Sequence, residues 1–450
     1  MLHRKGLVRA AAMAALACAG IAHADSSDAA DNGLSLQPAY LQAAAPAPAS
    51  APTPPATPAK PLMGTLEATP IGKALDSANI TVSGYFEGGY SISFQHPPGN
   101  VIAGRVYDTK NERVVLDQAD LAFDRTIDYS KGKFDIGFHF EANYGWDSGL
   151  NHSDGLYDTP AQRANGVGGY YTSRTSPDNQ FDILQAYADF AIPVGTGLRI
   201  RAGKIVTLLG YEVISPVQSS TSPLQGNPFY SHSYLFGYAI PLTNTGIIGE
   251  YKFNDDLKID GGVTRGENQS LRDNNGSPDV MGQITWTPQA TAESKKWSVI
   301  LNYEIGPEAA HDNHDYWTVI DLIAQYNASD KLAFVVNADY GDAPHALGIK
   351  SAQWGGVAGY AGYMINSIYT LNGRVEWYND ADGFTLGAPG NLNVYEATVG
   401  LQIHPFPDDA LGSNLVIRPE VRADYADKDF FNAGTKHFQA TFGIDATFAF

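Results

Sequence analysis

The chain has 450 residues and a single cysteine, Cys18, which falls inside an N-terminal leader. After cleavage of that leader, no disulfide framework and no thiolate metal site can form. Long apolar runs are also missing: beyond the leader no stretch reaches the ~18 residues that a membrane-spanning helix needs. Basic charge is scarce, with 29 Lys and Arg against 48 Asp and Glu and a formal net charge of −19. So acidic a chain is a poor match for nucleic acid, and the excess serves solubility and repulsion of like surfaces. The mean hydropathy of −0.21 does not settle solubility, because alternating strands hide their apolar half in such an average.

What is present begins with an export signal. Arg4, Lys5 and Arg9 give a positive start, Ala10 to Ala17 an apolar stretch, and Ala22-His23-Ala24 a small-x-small cleavage pattern. Together these predict a signal peptide over residues 1–24. The competing reading, a lipoprotein signal ending at Cys18, lacks the branched aliphatic residue three positions before the cysteine. Residues 25–79 form a different kind of segment. Ala43 to Pro61 is nearly all Ala and Pro; proline fixes φ and removes donors, so the segment reads as an extended periplasmic tether. Within it, Ile71 to Ser77 can form one short helix.

From Ile80 to Phe450 the dominant pattern has period two. In the last strand, Phe438, Ala440, Phe442, Ile444, Ala446, Phe448 and Phe450 share one parity, against His437, Gln439, Thr441, Gly443, Asp445 and Thr447 on the other. Side chains alternate across a strand, so one face is apolar and the other polar. About 16 such strands are read. They start near Ile80, Val114, Lys133, Phe181, Leu198, Thr245, Leu257, Val280, Trp297, Tyr316, Leu332, Trp354, Ile368, Leu392, Leu415 and Lys436. Long and short connections tend to alternate: 95–113, 147–180 and 209–244 are long, while 128–132, 193–197 and 254–256 are short and rich in turn residues. An all-β, antiparallel transmembrane barrel of the bacterial outer membrane has that asymmetry, with an apolar belt towards lipid and aromatic girdles at its rims. Barrels of about 14 or 18 strands fit the length as well. Pro419, inside the strand Leu415–Tyr425, cannot donate a ladder bond and predicts a bulge or edge distortion.

Parity sends a mixed set of charges towards the lumen. Asp120, Asp124, Glu141, Asp189, Glu250, Asp339 and Glu396 are acidic; Arg199, Arg201, Arg374, Arg418 and Arg422 are basic. In a wet pore they would build a transverse field that biases ions, and the acidic excess predicts mild cation selectivity. The alternative is that they pair and solubilise a filled barrel. The third outer connection, Tyr211 to Asn244, is unlike its neighbours. Glu212 is its one formal charge, yet it holds Phe229, Tyr230, Tyr234, Phe236 and Tyr238. So many rings with so little charge are expected to fold inward, pack on the wall and narrow the pore. Packing among the loops at the mouth, or against a neighbouring subunit, would also shelter them.

Other chemistry is thinner. His139 and Glu141 lie two apart on one strand face and could act as base and orienter, but no nucleophile motif accompanies them. His311-Asp312-Asn313-His314-Asp315 has ligand-type residues without a scaffold. Gly197 to Lys204 lacks the spacing and the Ser or Thr of a phosphate loop. No zinc, dinucleotide or triad signature is legible, and the reading includes no cofactor, no metal and no catalytic residue.

The stretch Ser231-His232-Ser233-Tyr234-Leu235-Phe236-Gly237-Tyr238-Ala239-Ile240-Pro241, with Gly203-Lys204 and Leu209-Gly210-Tyr211-Glu212, resembles the OmpL-like family of type 2 beta-barrel porins. The resemblance covers about Ile80 to Phe450 and leaves out the tether. It implies an outer-membrane porin, and a terminal Phe450 that the barrel-assembly machinery recognises. The expectation is therefore passive diffusion of small hydrophilic solutes or ions, with outer-membrane lipid and the assembly machinery as partners and a homo-oligomer as one option. A structural or adhesive barrel with a filled lumen, and an outer-membrane lipase, are the alternatives.

Overall fold

The alternating segments form sixteen strands: β1 (Thr81–Ser93), β2 (Arg113–Arg125), β3 (Asp135–Gly145), β4 (Gln180–Ile192), β5 (Leu198–Val206), β6 (Thr243–Lys252), β7 (Leu257–Thr264) and β8 (Asp279–Trp286) make the first half. β9 (Trp297–Pro307), β10 (Tyr316–Ser329), β11 (Leu332–Ala343), β12 (Ala352–Met364), β13 (Tyr369–Asp380), β14 (Leu392–Ile403), β15 (Leu415–Ala426) and β16 (Phe438–Ala449) make the second. Each pairs antiparallel with the next in sequence, and β1 pairs with β16, so the sheet closes into a barrel without edges. The structure, a computed structural model, describes residues 61–128, 132–156, 178–217, 223–224 and 226–450. The leader and residues 25–60 of the tether lie outside the described residues.

The two faces of the sheet divide as alternation requires. Phe86, Leu121, Phe140, Val336, Val375 and Val421 are exposed on the outside, where lipid would cover them. Glu87, Asp120, Glu141, Arg374 and Arg422, of opposite parity, are buried inside. The interior is not uniformly polar, however. On β10, β11 and β12 the inward parity carries Val319, Ile323, Val335 and Ala358, which join Leu208, Leu209, Leu235 and Ile240 of the β5–β6 connection in one apolar cluster.

At the seam the first and last strands meet. The Phe450 amide donates to the Gly84 carbonyl at 2.8 Å, and the Gly84 amide donates back to Phe450 O at 3.0 Å. The Phe450 ring sits 5.2 Å from that of Phe86. Gly84 is needed here, since a Cβ would collide with the Asp120 carbonyl and come within 2.8 Å of the Phe450 ring. Of the two outcomes expected at Pro419, the structure shows the edge distortion. No bulge forms: its register with β16 is unbroken (Pro419 opposite Ile444), and the β14 register is the same on either side of it. Only the β14 pairs at 401–402 are skipped, because an antiparallel residue bonds one neighbour at a time and proline's missing donor affects a single edge.

The end of the tether segment is helical, as α1 (Pro61–Leu66) and α2 (Pro70–Ser77). Thr69 Oγ1 caps α2 by accepting the Gly72 amide at 3.0 Å, and Pro70 occupies a position that needs no donor. Met63 of α1 lies against the start of β1, where its Sδ accepts the Val82 amide at 3.3 Å.

Candidate functional site

The connection from β5 to β6, residues 207–242, bonds the interior face of the barrel along most of its length. It begins at Gly210, whose φ of +91° gives a turn that a larger residue would strain. The Gly210 amide donates to Asp321 Oδ2 at 2.9 Å and the Tyr211 amide to Asn337 Oδ1 at 3.3 Å, which fixes this end to β10 and β11. Its far end closes with a π-helical turn, Leu235–Ala239, started by Ser233 Oγ accepting the Phe236 amide.

Between these ends, wall side chains hold the loop by its backbone. Arg418 Nη1 donates to Asn227 O at 2.8 Å, Arg374 Nη1 to Ser231 O at 2.9 Å, and Arg422 Nη1 to His232 O at 2.6 Å. Carboxylates take the amides in return. Glu420 accepts from Tyr230 at 2.9 Å and from Ser231 at 3.2 Å; Glu376 accepts from Tyr234 and Leu235, both at 2.7 Å. Charged donors and acceptors make the stronger class of hydrogen bond, and here three guanidinium groups and two carboxylates replace water on seven backbone groups of a segment without regular structure.

The loop supplies one charge of its own. Glu212 accepts from Arg374 Nη1 at 2.8 Å, from the Ser233 amide at 2.9 Å and from Tyr360 Oη at 2.9 Å, and lies 3.0 Å from His232 Nδ1. Burial alone would push its carboxyl upward, but Arg374 and His232 outweigh that and hold it at about 2. The rings are held by their hydroxyls. Tyr230 donates to Asp117, Tyr234 to Asp424 at 3.0 Å, and Tyr238 to the Arg105 carbonyl at 3.0 Å. Arg374 lies over the Phe229 ring and Arg422 over that of Tyr234, while Phe236 stacks on His232. A glycine makes one approach possible: a Cβ on Gly89 would occupy the place of the Tyr230 hydroxyl.

The first outer connection, 94–112, also enters. Arg105 bonds Asp108 Oδ2 at 3.1 Å, Asp424 Oδ2 at 3.0 Å and Thr441 Oγ1 at 3.0 Å, and Val106 packs with Phe236 in a second apolar cluster.

Of the residues read from parity, Arg374, Arg418, Arg422 and Glu396 thus gather with Glu212, Phe229, Tyr230, Tyr234, Phe236 and Tyr238. Glu396 accepts from Arg374 Nε at 3.1 Å. Asp339 stands apart on β11, where Asn337 Nδ2 donates to it at 3.1 Å. The other seven, Asp120 among them, lie on β2 to β6, most of them towards the short-turn end. His139 bridges Asp124 at 3.0 Å and Glu141 at 3.2 Å, and stacks on Tyr187. Arg199 pairs with Asp189 at 2.7 Å and lies 3.8 Å from Glu250; Arg201 bonds Asp260 at 3.1 Å. The His311–Asp315 segment lies in the β9–β10 connection, with Asp315 bonded to His345.

Sequence reasoning missed Glu376, Glu420, Asp424, Asp445 and Glu87, although parity alone could have named them. Arg105 and Asp108, in a connection with no period, carried no such signal.

A closed antiparallel barrel with an apolar outer belt and charged interior, crossed by one of its own outer connections, defines an outer-membrane channel of the porin class. The chain belongs to the beta-barrel porin-2, OmpL-like family, whose model matches residues 79–450. Its place is the bacterial outer membrane, and family and fold indicate a channel rather than an enzyme. Among solved structures it is similar to the anion-selective porin from Comamonas acidovorans, at 10% identity and a TM-score of 0.53, covering 82% of this chain and 99% of that one. OprB of Pseudomonas putida matches at 12% identity and 0.51, covering 85% and 97%. The outer-membrane channel DcaP of Acinetobacter baumannii matches at 14% and 0.50, covering 82% and 97%. Identities this low carry the architecture alone. No curated protein matches the chain.

Proposed function

We propose that the barrel passes small hydrophilic solutes or ions by passive diffusion, and that the β5–β6 connection sets the size limit. The observation that carries this reading is the fastening of that connection by Arg374, Arg418, Arg422, Glu376 and Glu420. A segment held by charged bonds at so many points is a fixed obstruction, and pore width and lining charge are what select among solutes. Residues 1–24 direct export, 25–79 tether the barrel in the periplasm, and Phe450 presents the terminal aromatic to the assembly machinery. No catalytic step, cofactor or metal is assigned; a reactive-serine probe that labelled the folded barrel would overturn that.

Planar-bilayer recording of the refolded protein is the test. Discrete ohmic steps are expected, and deletion of Phe229 to Tyr238 should enlarge them. A second reading, a filled structural barrel, is favoured by the apolar cluster joining the loop to β10–β12, and would leave the bilayer sealed.

A further inference from the structure

Two sets of charges share the barrel interior, and they differ in what they can touch. The side chains of Arg374, Arg418 and Arg422 are 0%, 2% and 0% exposed. Each is already neutralised: Arg374 by Glu212 and Glu396, Arg418 by Glu87 and Asp445, Arg422 by Asp424. Each also donates through Nη1 to a loop carbonyl. A permeating ion meets the field of charges it can approach, since opposite charges a few ångströms apart cancel at a distance and salt screens the rest within about 10 Å.

The short-turn end of β2 to β7 offers such charges. Asp124 is 43% exposed, Glu250 18%, His139 14% and Arg199 12%. Their partners are one another and not the loop backbone: Asp124 and Glu141 hold His139, Asp189 and Glu250 flank Arg199, and Lys258 lies 3.0 Å from Asp260. Carboxylates outnumber basic groups on this wall.

Resting on the porin reading above, we propose that Asp124 and Glu250, the exposed carboxylates of this cluster, set the ion bias of the channel and make it cation-preferring. The three buried arginines are positioning residues that fasten the loop and do not face solute. Basic lumen residues would ordinarily be expected to favour anions; here the loop has taken them out of reach.

The test is reversal potential under a KCl gradient, with step size, for the full chain in planar bilayers. Asp124→Asn with Glu250→Gln should lower the cation-to-anion permeability ratio about two- to five-fold at low salt, the scale of removing charges a few ångströms from an ion in water, with step size little changed. Arg418→Met should leave the ratio alone and give larger or flickering steps. Should that variant not fold, Arg422→Lys keeps the charge but loses the planar fork: it too should alter steps at constant ratio. An unchanged ratio in the Asp124/Glu250 variant, or a shift of equal size in Arg418→Met, would overturn the assignment while leaving a conducting porin. A wild-type protein that never conducts would remove the porin reading itself.

Discussion

The wall formed by β13 to β16 and the wall formed by β2 to β7 have the same alternation and both send acidic and basic groups inward, yet they stand in opposite relations to the loop. On the first, guanidinium groups and carboxylates bind loop backbone and are sealed. On the second, at the short-turn end, charges bind each other and keep partial contact with solvent. The lesson is that inward parity does not make a residue pore-lining. What covers it decides, and a connection far away in sequence provides the cover.

Substitutions should separate the walls by the size of their effect on stability. The largest is expected at Glu212→Leu, which removes one carboxylate of a buried ion pair and leaves Arg374 with Glu396 alone; about 3–5 kcal/mol is the usual cost, read as a lower temperature for unfolding of the barrel on an SDS gel. Glu420→Gln should cost about 1.5–3 kcal/mol, because the Tyr230 and Ser231 amides lose a charged acceptor; a melting point unchanged from wild type would sink the fastening role of β15. Gly89→Leu should displace the Tyr230 hydroxyl from Asp117, at about 1–3 kcal/mol for the overpacked contact, and larger conductance steps would report it. Acid should leave the Glu212–Arg374 pair intact over a wide window. With its carboxyl depressed to about 2, Glu212 contributes its full stabilisation above its ordinary value of 4.5 and loses it only as pH falls from there through about 2. Glu212→Gln should therefore lower the melting temperature by as much at pH 5 as at pH 7, and a penalty that vanished at pH 5 would contradict the geometry around Arg374. Smallest of all, Asp124→Asn on the second wall should change the melting point by less than the equivalent of about 0.5 kcal/mol.

The barrel was legible because period two is strong wherever lipid lies on one side and charge on the other. Every strand start read from the sequence falls within two residues of the observed one. The loop announced itself by rings without charge. Where it would lie was written less openly in β10, whose Trp317, Val319, Ile320, Leu322 and Ile323 are apolar on both parities, as a strand covered on both sides must be. What could not be read is the fastening. Arg105 meets Asp424 across 319 positions of sequence, and nothing local in the 94–112 connection marks it. At Pro419 the choice between a bulge and an edge distortion stayed open, because the period counts side chains, whereas proline's defect lies on one backbone edge.

Arg418 sits on β15, Asp445 on β16 and Glu87 on β1, and the guanidinium holds both carboxylates. These three strands straddle the join between the first and last strands of the cylinder. In a half-made barrel Glu87 lies on a separate margin, so the grip on Asn227 is complete only once the cylinder has been zipped shut. Closing the wall thus completes the set of carboxylates around the guanidinium that steadies Asn227, and the seam and this fastening point share one side chain.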